Sequence, residues 1–274
     1  MQVTGSNNIT AYSLSIRLSA DGFSFFLHTP SQEDSFTHIQ YATKSTISIT
    51  ANLKNAFQSE DVLKRDYQRV NIILCDSRYT IIPVEEFDED KAEEIFCYNY
   101  PEETGTMVMH NVLPKNKAVI LFSVDKNTEQ LIREHHPNCR FFHQMTSIAE
   151  HFFEKSYVGS TLKMFVYQHE RCSDIFVFDR GRLQFTNTFP NRETDDSIYY
   201  YLYIWKQLGL SQENDEMHLV GNLRDRKRLL TELRKYVRKV YLIDPAMEFE
   251  NQKIAEKEDV AYDAKTLLLC TPQQ

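Results

Sequence analysis

Ser13-Leu14-Ser15-Ile16-Arg17-Leu18-Ser19-Ala20-Asp21-Gly22-Phe23 alternates apolar and polar residues and then runs into Asp-Gly, a strong short-range signal for a hairpin. Phe23 to His28 resumes the strand beyond the turn, and Thr37 to Ser45 supplies a third, more polar one. Further along, the order returns. After Gly159-Ser160 come strand Leu162 to Tyr167, strand Ile175 to Phe178, the turn Asp179-Arg180-Gly181 and strand Leu183 to Thr188. Helices and strands then alternate after each triplet. The first half offers helix Asn52 to Gln68, strand Val70 to Cys75, strand Thr80 to Val84, an acidic helix Asp88 to Cys97, strands Met107 to Leu113 and Ala118 to Val124, helix Asn127 to His136, strand Arg140 to Gln144 and helix Ser147 to Glu154. The second offers helix Thr194 to Leu208, strand His218 to Val220, helix Arg224 to Val237, strand Val240 to Ile243 and a closing helix Asp263 to Cys270.

Three antiparallel strands followed by alternating helices and strands, occurring twice, is the element order of the ribonuclease-H-like domain, and a tandem pair of such domains is the actin-like ATPase architecture. The expected fold is therefore α/β, with a first ribonuclease-H-like domain over residues 1–158 and a second over 159–274. Length agrees, since 274 residues exceeds the usual size of one domain.

Composition narrows the function. Seven glycines are present, and the closest two, Gly209 and Gly221, stand twelve positions apart. A Rossmann fingerprint, a P-loop, a kinase glycine-rich loop and a nucleophile elbow each need two glycines within about eight residues, because backbone must approach phosphate or oxyanion closely. All of these are excluded. The net charge of −8 disfavours a protein built around a general nucleic-acid or anionic-membrane surface. Five scattered cysteines without a CxxC pair suggest neither a disulfide framework nor a zinc ribbon, and point to a cytoplasmic location. Met1 to Tyr12 has no basic region followed by an apolar run, and Ala118 to Val124 is too short to span a bilayer, so neither export nor a membrane span is expected.

Across nearly its whole length the chain resembles a family of uncharacterised bacterial proteins of the Bacteroides group related in fold to actin-like ATPases. The residues carrying the resemblance are Leu14 to Gly22, Tyr79-Thr80-Ile81-Ile82-Pro83, Phe176-Val177-Phe178-Asp179-Arg180-Gly181 and Tyr262 to Cys270. It implies a fold and no activity. Active members of the wider actin-like superfamily place an Asp-x-Gly turn in each half, for metal-bound water and phosphate, and a paired-glycine turn against the adenosine. Here Ala20 stands two before Gly22, and Asp21 is displaced by one, which on a strand turns it to the other face. Asp179-Arg180-Gly181 keeps the pattern, followed by Arg182, and Val220-Gly221-Asn222 keeps one glycine of two. Asp21, Gly22, Asp179, Gly181 and Gly221 thus outline a vestigial nucleotide site, with ordinary hairpin turns as the simpler reading. No cofactor is expected; ATP bound or slowly hydrolysed through Asp179 is the alternative.

Residues 224–239 are the other unusual feature, with eight cations against Asp225 and Glu232 in a chain of net charge −8. Leu229, Leu233 and Tyr236 form a stripe to bury, leaving Arg224, Arg228, Lys235 and Arg238 on the solvated side. A solvated charged face, a dock for an acidic protein, and phosphate-backbone binding to nucleic acid are the three readings, in that order. The acidic stretch Glu248 to Asp259, through Glu248, Glu250 and Glu256, could instead satisfy this face from within. Helix Thr194 to Leu208 buries Ile198, Leu202, Trp205 and Leu208 and leaves Tyr199, Tyr200 and Tyr203 off that stripe, a candidate interface. His135, His136, Cys139 and His143 match no standard zinc spacing, and His169, Cys172 and Asp174 fall at a hairpin turn without an oxyanion loop. The expected role is that of a non-catalytic protein interaction module.

Overall fold

A computed structural model describes residues 12–29, 32–101, 104–250 and 252–270; most of the segment Met1 to Tyr12, read above for an export signal, lies outside them. The strands are β1 Ser13–Ser19, β2 Gly22–Thr29, β3 Gln32–Tyr41, β4 Arg69–Leu74, β5 Tyr79–Pro83, β6 Thr106–Leu113, β7 Ala118–Asp125, β8 Arg140–His143, β9 Leu162–His169, β10 Cys172–Asp179, β11 Arg182–Pro190, β12 Glu216–Gly221 and β13 Lys239–Leu242. The helices are α1 Ile49–Ser59, α2 Ala92–Asn99, α3 Lys126–His135, α4 Gln144–Ser156, α5 Thr194–Gln207, α6 Arg226–Leu233, α7 Pro245–Glu248 and α8 Tyr262–Cys270.

Two sheets have the same plan. One runs β3-β2-β1-β4-β8 and the other β11-β10-β9-β12-β13, while β5-β7-β6 make a third, smaller sheet. In each large sheet the first strand pairs antiparallel with the second and parallel with the fourth. The chain divides into two compact units, residues 1–76, 88–110 and 121–144 in one, and 77–87, 111–120 and 145–274 in the other. The boundary read from the sequence falls once, at Gly159; the division by contacts crosses the chain several times and places residues 77–87, 111–120 and 145–158 in the second unit.

In the first unit Leu14, Ile16 and Leu18 lie opposite Leu27, Phe25 and Phe23 across the hairpin and beside Val70, Ile72 and Leu74 of β4. Period-two alternation ordinarily marks a strand with one wet face. Here Ser13, Ser15, Arg17 and Ser19, on the other face of β1, are buried as well. In the second unit Met164, Val166, Ile175, Val177, Met217 and Leu219 form one sheet face, covered by Tyr201, Ile204 and Trp205 of α5 and Leu229 and Leu233 of α6.

Several boundaries differ from expectation for local reasons. Helix α1 starts earlier because the Ser48 side chain accepts from Ala51 N, and ends at Glu60, whose extended backbone (φ −97°, ψ 108°) leads into a 3-10 turn. Helix α3 begins at Lys126, one residue ahead of expectation, because Asp125 caps it, accepting from Thr128 N at 2.8 Å. The basic helix is shorter than read: Asp225 caps it and α6 ends at Leu233, so Arg224, Lys235, Arg238 and Lys239 stand outside it. The buried residues of α5 are Thr194, Ser197, Tyr201, Ile204 and Trp205, and Leu208 is exposed. The stripe is therefore rotated from the one expected, and Tyr201 belongs to the core.

Candidate functional site

Strand correspondence decides which turns are comparable. Since β9, β10 and β11 take the places of β1, β2 and β3, the counterpart of the Ala20-Asp21 turn is the two-residue turn Glu170-Arg171 between His169 and Cys172. Neither Asp nor Gly stands there, and Glu170 takes a left-handed φ of 47°. Asp179-Arg180-Gly181 instead joins β10 to β11, the counterpart of the β2-β3 connection. Asp179 pairs with Leu162 at one end of β9, whereas Gly221 pairs with Gln168 near the other. The six intervening steps span about 20 Å. Asp179 and Gly181 are thus not gathered with Gly221. Asp21 and Gly22 lie in the first unit, where Asp21 is exposed and its N–H donates to Ser19 Oγ at 3.1 Å.

The two second-unit glycines of the expected nucleotide site, Gly181 and Gly221, have structural reasons to be glycine. At Gly181 (φ +79°) an added Cβ would meet the Tyr157 ring at 2.3 Å, and the Gly181 N–H donates to Ser156 Oγ at 3.0 Å. The amide that would cradle a phosphate is occupied. Asp179 binds its neighbour, with Arg180 Nε 3.2 Å from Oδ1. At Gly221 (φ +99°) a Cβ would lie 2.1 Å from the Gln168 carbonyl oxygen, which accepts from Asn222 N at 2.8 Å.

Beneath the Glu170-Arg171 turn lies a buried polar cluster that the sequence did not single out as a unit. Asp174 is fully buried, with Oδ2 2.5 Å from His169 Nε2, and Oδ1 accepting from Tyr79 OH at 3.0 Å and from Thr188 Oγ1. Burial alone would lower the His169 pKa, but the hydrogen bond and charge of Asp174 reverse this and raise it. Burial, then the Asp174 charge, hold the Tyr79 hydroxyl well above its ordinary value. On the opposite sheet face Ser173 Oγ lies 2.7 Å from Tyr201 OH and accepts from Asn191 Nδ2 at 2.9 Å; burial pushes Tyr201 up to about 12. The sequence signals for these groups were the pairing of His169 with Asp174 around the hairpin and β10 itself, whose Ser173 and Asp174 interrupt an apolar strand; nothing in the sequence pointed to Tyr79 or Thr188.

The basic face carries local counterparts. Arg228 Nη2 lies 2.5 Å from Asp195 Oδ1, Lys235 Nζ 2.7 Å from Glu232 Oε1, and Arg238 Nη1 3.0 Å from Glu213 Oε2. Arg224 donates to the carbonyls of Arg192 and Glu170. Glu248 does not clasp this face: it binds His151 Nε2 at 2.9 Å, Lys155 Nζ at 2.6 Å and Tyr262 OH at 2.9 Å. Next to these cations, Tyr199 and Tyr203 are 61% and 45% exposed and stack at 5.8 Å with planes 15° apart, while Tyr200 packs on Phe189. Arg228 and Asp195 tie α6 to the start of α5, so the tyrosines and cations share one surface.

Among the described residues there is no group of three or more His, Cys, Asp or Glu able to hold a metal, and no helix long and apolar enough to cross a membrane. His135 Nδ1 donates to the Leu131 carbonyl and His143 Nε2 lies 2.9 Å from the Asp76 carbonyl.

Among curated proteins the sequence has no match. A Bacteroides thetaiotaomicron protein with an actin-like ATPase fold and unknown function, known from its crystal structure, is 39% identical over 98% of this chain and 100% of its own, with a TM-score of 0.86. A structure of the PilM-PilN type IV pilus biogenesis complex is 10% identical over 95% and 99% of the two chains, with a TM-score of 0.54, a likeness of fold alone. The family described as "Protein of unknown function (DUF3822)" matches residues 4–240, and with this match and the actin-like ATPase fold of its 39% identical relative, the chain belongs to that family.

Proposed function

We propose that this protein is a non-catalytic, cytoplasmic member of the actin-like fold that works by binding another protein through the α5–α6 face. The observation that carries the reading is the stacked, exposed pair Tyr199 and Tyr203 beside a cation-rich helix. Tyrosine and arginine are the residues that dominate protein interfaces, and charged rims steer partners of opposite sign. An acidic protein suits this face best. Two further points support a binding role over an ATPase one. The Glu170-Arg171 turn lacks both Asp and Gly, and the Gly181 amide is bound to Ser156. A structural neighbour of similar length is named as part of an assembly, the PilM-PilN complex.

Capture of a partner from native lysate, followed by titration of the purified pair, tests this. Tyr199→Ala with Tyr203→Ala should weaken binding about 30-fold or more, as loss of an interface hot spot does, with the melting temperature nearly unchanged because both rings are exposed. Unchanged affinity would move the interface elsewhere. Mg-ATP titration separates the ATPase alternative: micromolar binding lost in Asp179→Ala would establish a nucleotide site. A steep fall of RNA or DNA affinity with salt would favour the nucleic-acid alternative.

A further inference from the structure

We propose that α6 of one copy of this chain docks on the acidic segment 85–94 of a second copy, which names the partner of the α5–α6 face and rests on reading that face as an interaction surface. The segment carries Glu85, Glu86, Asp88, Glu89, Asp90, Glu93 and Glu94, all exposed, against Lys91. Of these acids only Asp88 makes an ion pair among the described residues, with Lys91 Nζ at 3.4 Å. On α6, Arg226 and Lys227 are exposed and make no ion pair among the described residues, and just ahead of the helix Arg224 spends its hydrogen bonds on neutral carbonyls, which leave its charge uncompensated.

The two elements therefore offer matching surpluses of opposite sign. Glu93 and Glu94 stand in the first turn of α2, and Glu85, Glu86, Asp88, Glu89 and Asp90 precede it along the chain. Glu94 and Tyr98 stand four positions apart on one face of α2, and Tyr98 is 89% exposed. That ring can join Tyr199 and Tyr203 in the apolar part of the contact. The net charge of −8 makes whole molecules repel at long range, so attraction operates only where the two patches face each other. At 0.1 M salt the Debye length is about 10 Å and at 1 M about 3 Å. The first screens the repulsion between whole molecules and spares ion pairs in contact; the second weakens those pairs too.

Sedimentation velocity of the intact chain over a range of concentrations is the test. At about 0.1 M salt the apparent mass should rise with concentration above 32.3 kDa, and at about 1 M it should return to monomer. A variant with Glu89→Lys, Glu93→Lys and Glu94→Lys should stay monomeric at both, as should one with Arg226→Glu and Lys227→Glu. All five positions are exposed, so the fold tolerates these changes. Mixing the two variants should restore association, because each retains the patch the other has reversed. A wild-type chain monomeric at every concentration, or association indifferent to both reversals, would overturn the proposal. If that happens while Tyr199→Ala with Tyr203→Ala still abolishes capture of another protein, only the self-docking fails and the interaction face stands.

Discussion

Replacing Asp174 with Ala should destabilise the protein by about 3–5 kcal/mol, the cost of breaking a buried pair and leaving its other members enclosed without compensation. Asp174 is 0% and His169 6% exposed, and the carboxylate also serves Tyr79 and Thr188, so one substitution strands several polar groups. Urea unfolding measures the loss, and a change below about 1 kcal/mol would show that the cluster relaxes or admits water. Because natural domains hold only about 5–15 kcal/mol, Asp174→Ala risks failing to fold, and Asp174→Asn keeps the shape while removing the charge.

The same pair makes stability depend on pH with a definite sign. The His169 pKa is raised in the folded protein. Its contribution is therefore complete below the unfolded value, near 6.5, and is lost as pH rises through the folded value. Wild-type stability should thus decline over that window, and Asp174→Asn should flatten the decline. Glu170 and Asp263 also favour the charged ring, so a small slope can persist in the variant.

Gly221→Ala should cost about 3–5 kcal/mol, combining overpacking against a neighbouring strand with left-handed backbone strain. Its Cβ would fall 2.1 Å from the Gln168 carbonyl oxygen, a backbone atom of β9 that cannot swing aside. Gly209 is the control: φ is +68° and nothing lies within 4 Å of a Cβ there, so Gly209→Ala should show the strain alone, about 1–2 kcal/mol. Thermal or urea unfolding of the two variants separates these costs. Equal losses at both positions would mean that close strand packing is not what requires Gly221.

The architecture was legible because it is written in local signals. Leu14, Ile16 and Leu18 before Asp21-Gly22, and the recurrence of three strands after Gly159, are properties of neighbouring residues, and both sheets follow that order. The candidate site was legible only in part. Asp179-Arg180-Gly181 fits the Asp-x-Gly pattern in letters, but pattern matching is blind to which of two successive turns it occupies. Strand pairing puts it at the end of the sheet away from Gly221. The cations around α6 were evident from sequence, but their partners were not, because Asp195 and Glu213 approach Arg228 and Arg238 from other elements.

Residue order alone determined the period-two strands, the turns between them, the missing glycine-rich phosphate loops and the excess of cations over residues 224–239, since each depends on spacing within a few positions. Only tertiary structure could decide that Ser15 and Arg17 are enclosed although their strand alternates, or that His169, Asp174, Tyr79 and Thr188 meet in one buried cluster. Tyr79 and Asp174 are separated by 95 positions. Burial and long-range hydrogen bonding are set by what packs against a strand from distant parts of the chain, and periodicity within the strand carries no record of it.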